Sequence, residues 1–146
     1  MGGPETFNRG ESDGAHILGE LVAAVHEGSA EGWKFADSKI GEAARHSEVM
    51  LWARGALTSD NEHMRDLALS LWGVSDMRAD EETLRRFREM MKSGSESDAI
   101  HLRAACALMQ QGEKTLEVRA ALQDASENED TVIARVGKEK LALLEG

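Results

Sequence analysis

After Pro4 the chain contains no further proline, and that absence narrows its folding options more than any other feature. Proline in a helix interior costs about 3 kcal/mol, so a chain without it has lost its sharpest helix breaker. Gly, Ser, Asn and Asp are left to punctuate segments rich in Ala, Leu, Glu, Met and Arg, all good helix formers. No stretch alternates polar residues with β-branched ones, so no strand is expected. The expectation is an all-α chain.

Apolar spacing supplies the helices one by one. Leu18, Leu21, Val22 and Val25 fall at i, i+3, i+4 and i+7 and predict a helix from near Ala15 to His26, ended by Gly28. Ser29 is placed to cap a second helix carrying Trp33, Ala36, Ile40, Ala43 and Ala44, which Gly32 and Gly41 weaken enough to predict a break or kink within 30–46. Ser47 opens a third helix with Val49, Ala53, Ala56 and Leu57. Ser59-Asp60-Asn61 then turns the chain into a fourth, where Met64, Leu67, Ala68, Leu71 and Trp72 give the cleanest amphipathic pattern, closed by Gly73. A fifth helix follows Asp80 with Leu84, Phe87 and Met91 in line, until Ser93-Gly94-Ser95 interrupts. The sixth begins near Asp98 and is apolar on two faces, as a helix held between layers must be; Gly112 ends it. Val118, Ala121, Leu122 and Ala125 mark the seventh, and Ile133, Val136, Leu141 and Leu144 the eighth. Paired in order, the eight make hairpins at about 14–46, 47–73, 80–112 and 113–146, one domain preceded by a flexible tail over 1–13.

A repeat is superimposed on these hairpins. An aspartate near the start of the second helix is followed five residues later by arginine in Asp60/Arg65, Asp98/Arg103 and Asp130/Arg135, with Ser29/Lys34 a degenerate first copy. An aspartate there accepts a hydrogen bond from an orphan helix N–H and faces the positive end of the helix dipole. Capping does not explain the arginine. Its planar fork suits a bridge to the turn of a neighbouring repeat, so the six residues are read as a structural ladder.

The segments Met64-Arg65-Asp66-Leu67-Ala68-Leu69, Leu102-Arg103-Ala104-Ala105-Cys106-Ala107 and, more loosely, Ala134-Arg135-Val136-Gly137 give the chain a resemblance to the HEAT/armadillo-like helical repeats. That family stacks antiparallel helix pairs, so the resemblance implies a right-handed α-α superhelix, a short solenoid. The chain departs from the family in having no proline in the first helix of each repeat.

Charge restricts the partners. The 27 acidic and 17 basic side chains give a net charge of −10, which repels nucleic acid and anionic membrane and favours a basic protein or peptide. Cys106 is the only cysteine, which rules out an internal disulfide and fits a cytoplasmic setting; among Ala and Leu neighbours it reads as a buried structural thiol. The longest apolar run, Leu21 to Val25, cannot span a bilayer. Met1 to Thr6 formally fits an N-myristoylation pattern, but its proline, its acid and the lack of a basic patch argue against it.

Chemistry is harder to find. His16, His26, His46, His63 and His101 form no tight metal spacing, and the pairs His16/Glu20 and Asp98/His101 read as ordinary surface pairs. No phosphate loop, nucleophile elbow or Cys/His dyad is present, so no catalytic residue, cofactor or metal is expected. Trp52 and Trp72 are expected in the core. Trp33 near a helix start, with Lys34, is the candidate interaction surface. Arg88 is expected to be an ordinary surface arginine, less costly to lose than Arg103. The expected function is a non-enzymatic protein-interaction or scaffold module, a monomer or weak homodimer. A small acidic inhibitor or immunity-type protein for a basic partner is the alternative. A HEAT-like DNA glycosylase or other groove enzyme ranks below both, because its basic groove has no counterpart in an acidic chain.

Overall fold

The computed structural model describes residues 9–145, and among them the chain is all-α, with eight helices and no strand. They are α1 (Arg9–Val25), α2 (Ala30–Ala43), α3 (Ser47–Gly55), α4 (Glu62–Trp72), α5 (Glu81–Lys92), α6 (Asp98–Gln110), α7 (Leu116–Ser126) and α8 (Thr131–Glu145), with one 3-10 turn, Ala56–Thr58, after α3. The chain divides between Asp76 and Met77 into two compact units, each made of two helix pairs. Met1 to Thr6, with the acylation pattern, lies outside the described residues, as does the rest of the expected tail up to residue 8.

Residues 9–13 of that tail are helical, so α1 starts six residues before Ala15. A tertiary contact stands at this end of the helix. Gly14 is buried against the Glu48 side chain of α3, which stabilises a turn that its own Gly- and Ser-rich sequence favours little.

The first unit is built around α4, which packs on α3, α1 and α2. Leu67, Ala68, Leu69 and Leu71 are all fully buried, more of the helix circumference than one amphipathic stripe supplies. They meet Leu21 and Val25 of α1, Ala36 of α2 and Val49, Met50 and Ala53 of α3 in one core. In the second unit α6 has the same place, packed on α5, α7 and α8. Its two apolar faces bury Ile100, Leu102, Ala104, Ala105, Ala107 and Leu108, as its sequence requires, together with Phe87, Val118 and Leu122. Of the tryptophans, Trp72 is buried and Trp52 half-buried.

Helix ends follow side-chain chemistry. Ser29, Asn61, Asp80, Ser97 and Thr115 each precede a helix and accept a hydrogen bond from a backbone N–H of its first turn. Gly28 and Gly112, at φ +76° and +87°, are the positions where the chain leaves α1 and α6 through the left-handed region. At Gly112 the Glu113 N–H returns to the Leu108 carbonyl at 2.9 Å, the wide turn of a Schellman motif.

No break interrupts α2. Gly32 lies where α2 crosses α1, and a Cβ there would overlap the backbone carbonyl of Ala24, so glycine is what lets the two helices approach. Gly41 faces open space. At Gly137, the only buried residue of α8, a Cβ would come within 2.7 Å of the Ser126 backbone nitrogen of α7. Two glycines in one helix therefore have opposite expected effects. Gly32→Ala destabilises the first unit by about 1–3 kcal/mol through overpacking, whereas Gly41→Ala stabilises it by about 0.5–1 kcal/mol through helix propensity. Urea unfolding of the two variants beside wild type checks both signs.

Candidate functional site

The Asp/Arg register supplies three different local structures. Only Asp130 caps a helix: its Oδ1 accepts from the backbone N–H of Val132 at 2.9 Å and of Ile133 at 3.3 Å. At the other two turns the cap is a neighbour. Asn61 Oδ1 accepts from His63 at 2.8 Å in place of Asp60, which is exposed, and Ser97 Oγ accepts from Ile100 at 3.3 Å in place of Asp98. Asn and Ser cap as well as Asp does, and each stands one residue nearer the position that its helix start requires.

Each arginine also has its own setting. Arg65 donates through Nη1 to the Ser59 carbonyl at 2.8 Å, tying α4 back to its own turn. Arg103 is half-buried and acts with Lys140 on the Cys106 thiol. Burial is the larger influence and pushes that thiol above its ordinary value; the two cations pull it back. A nucleophilic cysteine needs the opposite balance. Arg135 is exposed on α8. A tie between helix pairs does occur, through the aspartate: Asn128 in the α7–α8 turn donates through Nδ2 to Asp98 Oδ2 at 2.9 Å, while its Oδ1 accepts from the Asp130 backbone at 2.8 Å.

Trp33 and Lys34 lie on α2 in the first unit, Trp33 half-buried and Lys34 exposed beside Phe35. A concave surface with a concentration of charge lies in the second unit. There a cleft of about 520 Å³ opens between the start of α6, the face of α7 and the turn into α8. Asp98, Asp124, Glu127 and Glu129 contribute four carboxylates to it, His101 and Asn128 contribute polar edges, and among the described residues no Lys or Arg lines it. Met91, Leu102, Ala121 and Ala125 form the apolar floor.

Two of its polar groups are held in place. Besides the Asn128–Asp98 bond, His101 Nε2 bonds the Ser93 carbonyl at 2.5 Å; a carbonyl only accepts, so this nitrogen carries the proton. The other ring nitrogen faces Asp98 Oδ1 at 3.9 Å. The carboxylates do not converge: no group of three or more His, Cys, Asp or Glu residues suited to a metal ion occurs among the described residues. What the arrangement offers is a negatively charged trough with an apolar base, a shape for the head and stem of a basic side chain.

Two features near this unit were invisible in the sequence. Gln111 clamps the segment leading into α5, accepting from the Ala79 backbone at 2.8 Å and donating to the Met77 carbonyl at 2.9 Å. Arg88 is not an ordinary surface arginine. Its Nε and Nη2 form a fork on the two Glu113 oxygens at 2.8 and 2.6 Å, and its Nη1 reaches Glu81 at 2.9 Å. Glu113 stands 25 residues later, in the α6–α7 turn, so no i, i+4 pattern announces the pair. The Glu113 side chain is 19% exposed, and the Arg88 guanidinium beside it holds its carboxyl below the usual carboxylate range.

No family model, curated protein or solved structure matches the chain.

The Arg88 fork has a pH signature. A carboxyl depressed in the folded state contributes stability above its ordinary value of 4.5, and that contribution is lost as pH falls through the lower folded value. Arg88→Ala and Glu113→Gln are each expected to lose about 1 kcal/mol near pH 7, a partly exposed charge-assisted bond. Their deficits against wild type should shrink progressively below pH 4.5. Urea titrations at several pH values measure this, and a deficit that stays constant down to pH 2 would contradict the assignment.

Proposed function

We propose that this chain is a non-catalytic interaction module, a short HEAT/armadillo-like superhelix of four helix pairs, whose acidic cleft receives a basic segment of a protein partner. The pairing of helices in chain order and the enclosed second helices of the two middle pairs, α4 and α6, support the repeat reading. The observation that carries the functional reading is the cleft itself: four carboxylates and, among the described residues, no lining Lys or Arg, on a protein of net charge −10. Such a surface concentrates basic ligands by long-range attraction and holds them by short charge-assisted hydrogen bonds. The apolar floor accommodates the aliphatic stems of lysine or arginine.

The same charge speaks against a nucleic-acid enzyme. A phosphate backbone brings one negative charge per nucleotide into a trough that has four of its own. An inhibitor of one basic protein uses the same face but demands a larger continuous contact and a tight complex with a single partner, which the experiment below separates from a module with short-peptide recognition.

Binding of an arginine- and lysine-rich decapeptide, followed by fluorescence anisotropy, tests the proposal. Neutralising Asp124→Asn, Glu127→Gln and Glu129→Gln together is expected to weaken that binding by about tenfold or more, equivalent to roughly 1.4 kcal/mol. Rising salt should weaken wild-type binding as the attraction is screened. Equal affinity for the neutralised variant, or for an acidic peptide, would sink the proposal. Affinity capture from the native host that returns one protein in a tight complex, with no decapeptide binding, would favour the inhibitor.

A further inference from the structure

Among the eight helices α8 is the least enclosed. Across its 15 residues the only buried one is Gly137, which packs on α7. Turned away from Gly137 are the exposed Val132, Glu139 and Leu143, with half-buried Val136 at the edge of that face; the spacings of four, three and four are those of a seam that pairs with another helix. Val132 is 57% and Leu143 63% exposed, an arrangement that wastes apolar surface in water. Arg135, exposed like Glu139, flanks the middle of the seam.

We propose that α8 pairs with α8 of a second copy of this chain, antiparallel about a two-fold axis. Charge selects both the occupant and the direction. With the two helices antiparallel and centred between residues 137 and 138, Val132 of each copy meets Leu143 of the other. Glu139 of each then lies beside Val136 and Arg135 of the second copy. Both ends of the seam are apolar on apolar, and its one acid finds a base twice. A parallel pair sets Glu139 against Glu139 in the seam, a like-charge contact that opposes association. The surface is therefore complementary to itself, as an isologous contact requires.

The association is weak. A 15-residue helix is about 22 Å long, and one crossing of two such helices buries less than the roughly 1,200 Å² of a stable complex. A dissociation constant on the order of 100 μM is expected for so small a contact.

Sedimentation velocity of the full chain, from about 10 μM to about 1 mM at 0.15 M salt, tests the pairing under conditions that screen long-range repulsion. Wild type should pass from monomer to dimer over this range. Arg135→Glu and Glu139→Arg should each shift the midpoint at least about fivefold higher, and Leu143→Glu should hold the chain monomeric, with unchanged circular dichroism in all three. The deciding sample is an equimolar mixture of Arg135→Glu and Glu139→Arg. Each variant alone has like charges at 135 and 139, within the helix and between copies, whereas the mixed dimer has opposite charges at both intermolecular contacts. Recovery of wild-type association in the mixture supports the antiparallel pair. Wild type that stays monomeric throughout overturns it, and so does a dimer that the single substitutions leave unchanged or the mixture fails to restore.

Discussion

Between its ends every helix pairs its backbone groups within itself, so among the described residues no sheet ladder joins one helix to the next. What holds each unit together is the burial of apolar side chains around one central helix, α4 in the first and α6 in the second. Leu67, Leu69 and Leu71 on α4, and Ile100, Leu102 and Leu108 on α6, point to several sides of their helices and so collect several neighbours each. The outer helices need only one apolar face because these two supply the rest. This is why α8, at the margin of its unit, buries only a glycine fully. It is also why the apolar residues on its far side are available for another surface.

Close approach matters as much as apolar area. Helices that present Leu or Met to each other stay about 8–10 Å apart, and tighter crossings need small residues. Gly32 against the Ala24 carbonyl and Gly137 against the backbone of Ser126 are two such crossings, one in the first pair and one in the last. Glycine in a helix loses propensity, and here the gain is contact with a neighbouring backbone that any side chain would obstruct. Gly41, with open space around it, shows the loss without the gain.

Charge is divided between structural and available groups. Arg88, Glu113 and Glu81 are joined in one network that binds α5 to the α6–α7 turn. Asp98 and Asn128 join the start of α6 to the α7–α8 turn and at the same time frame one edge of the acidic cleft. Asp124, Glu127 and Glu129 extend that edge, so the groups that order the turn and those that give the cleft its charge are near neighbours. A partner that binds there meets a rim already held by hydrogen bonds, which lowers the ordering entropy lost on association.

The sequence by itself determined that the chain is helical and where nearly every helix lies. The reason is local: without proline, propensity and the 3.6-residue period act within a few neighbouring residues, and Gly, Ser and Asp mark the ends. The enclosure of α6 was legible for the same reason, because two apolar faces on one helix have only one use. Whatever depended on which helices meet was decided by tertiary structure. The contact of Gly14 with Glu48 of α3 and the close approach of Gly32 to the Ala24 carbonyl depend on helix crossings, and the Arg88 fork needed a glutamate from a distant turn. The Asp/Arg register marked the turns correctly but not their chemistry, since Asn61 and Ser97 cap as readily as the aspartates beside them. The acidic cleft was out of reach of any motif, because its carboxylates come from two helices and a turn that only packing brings together.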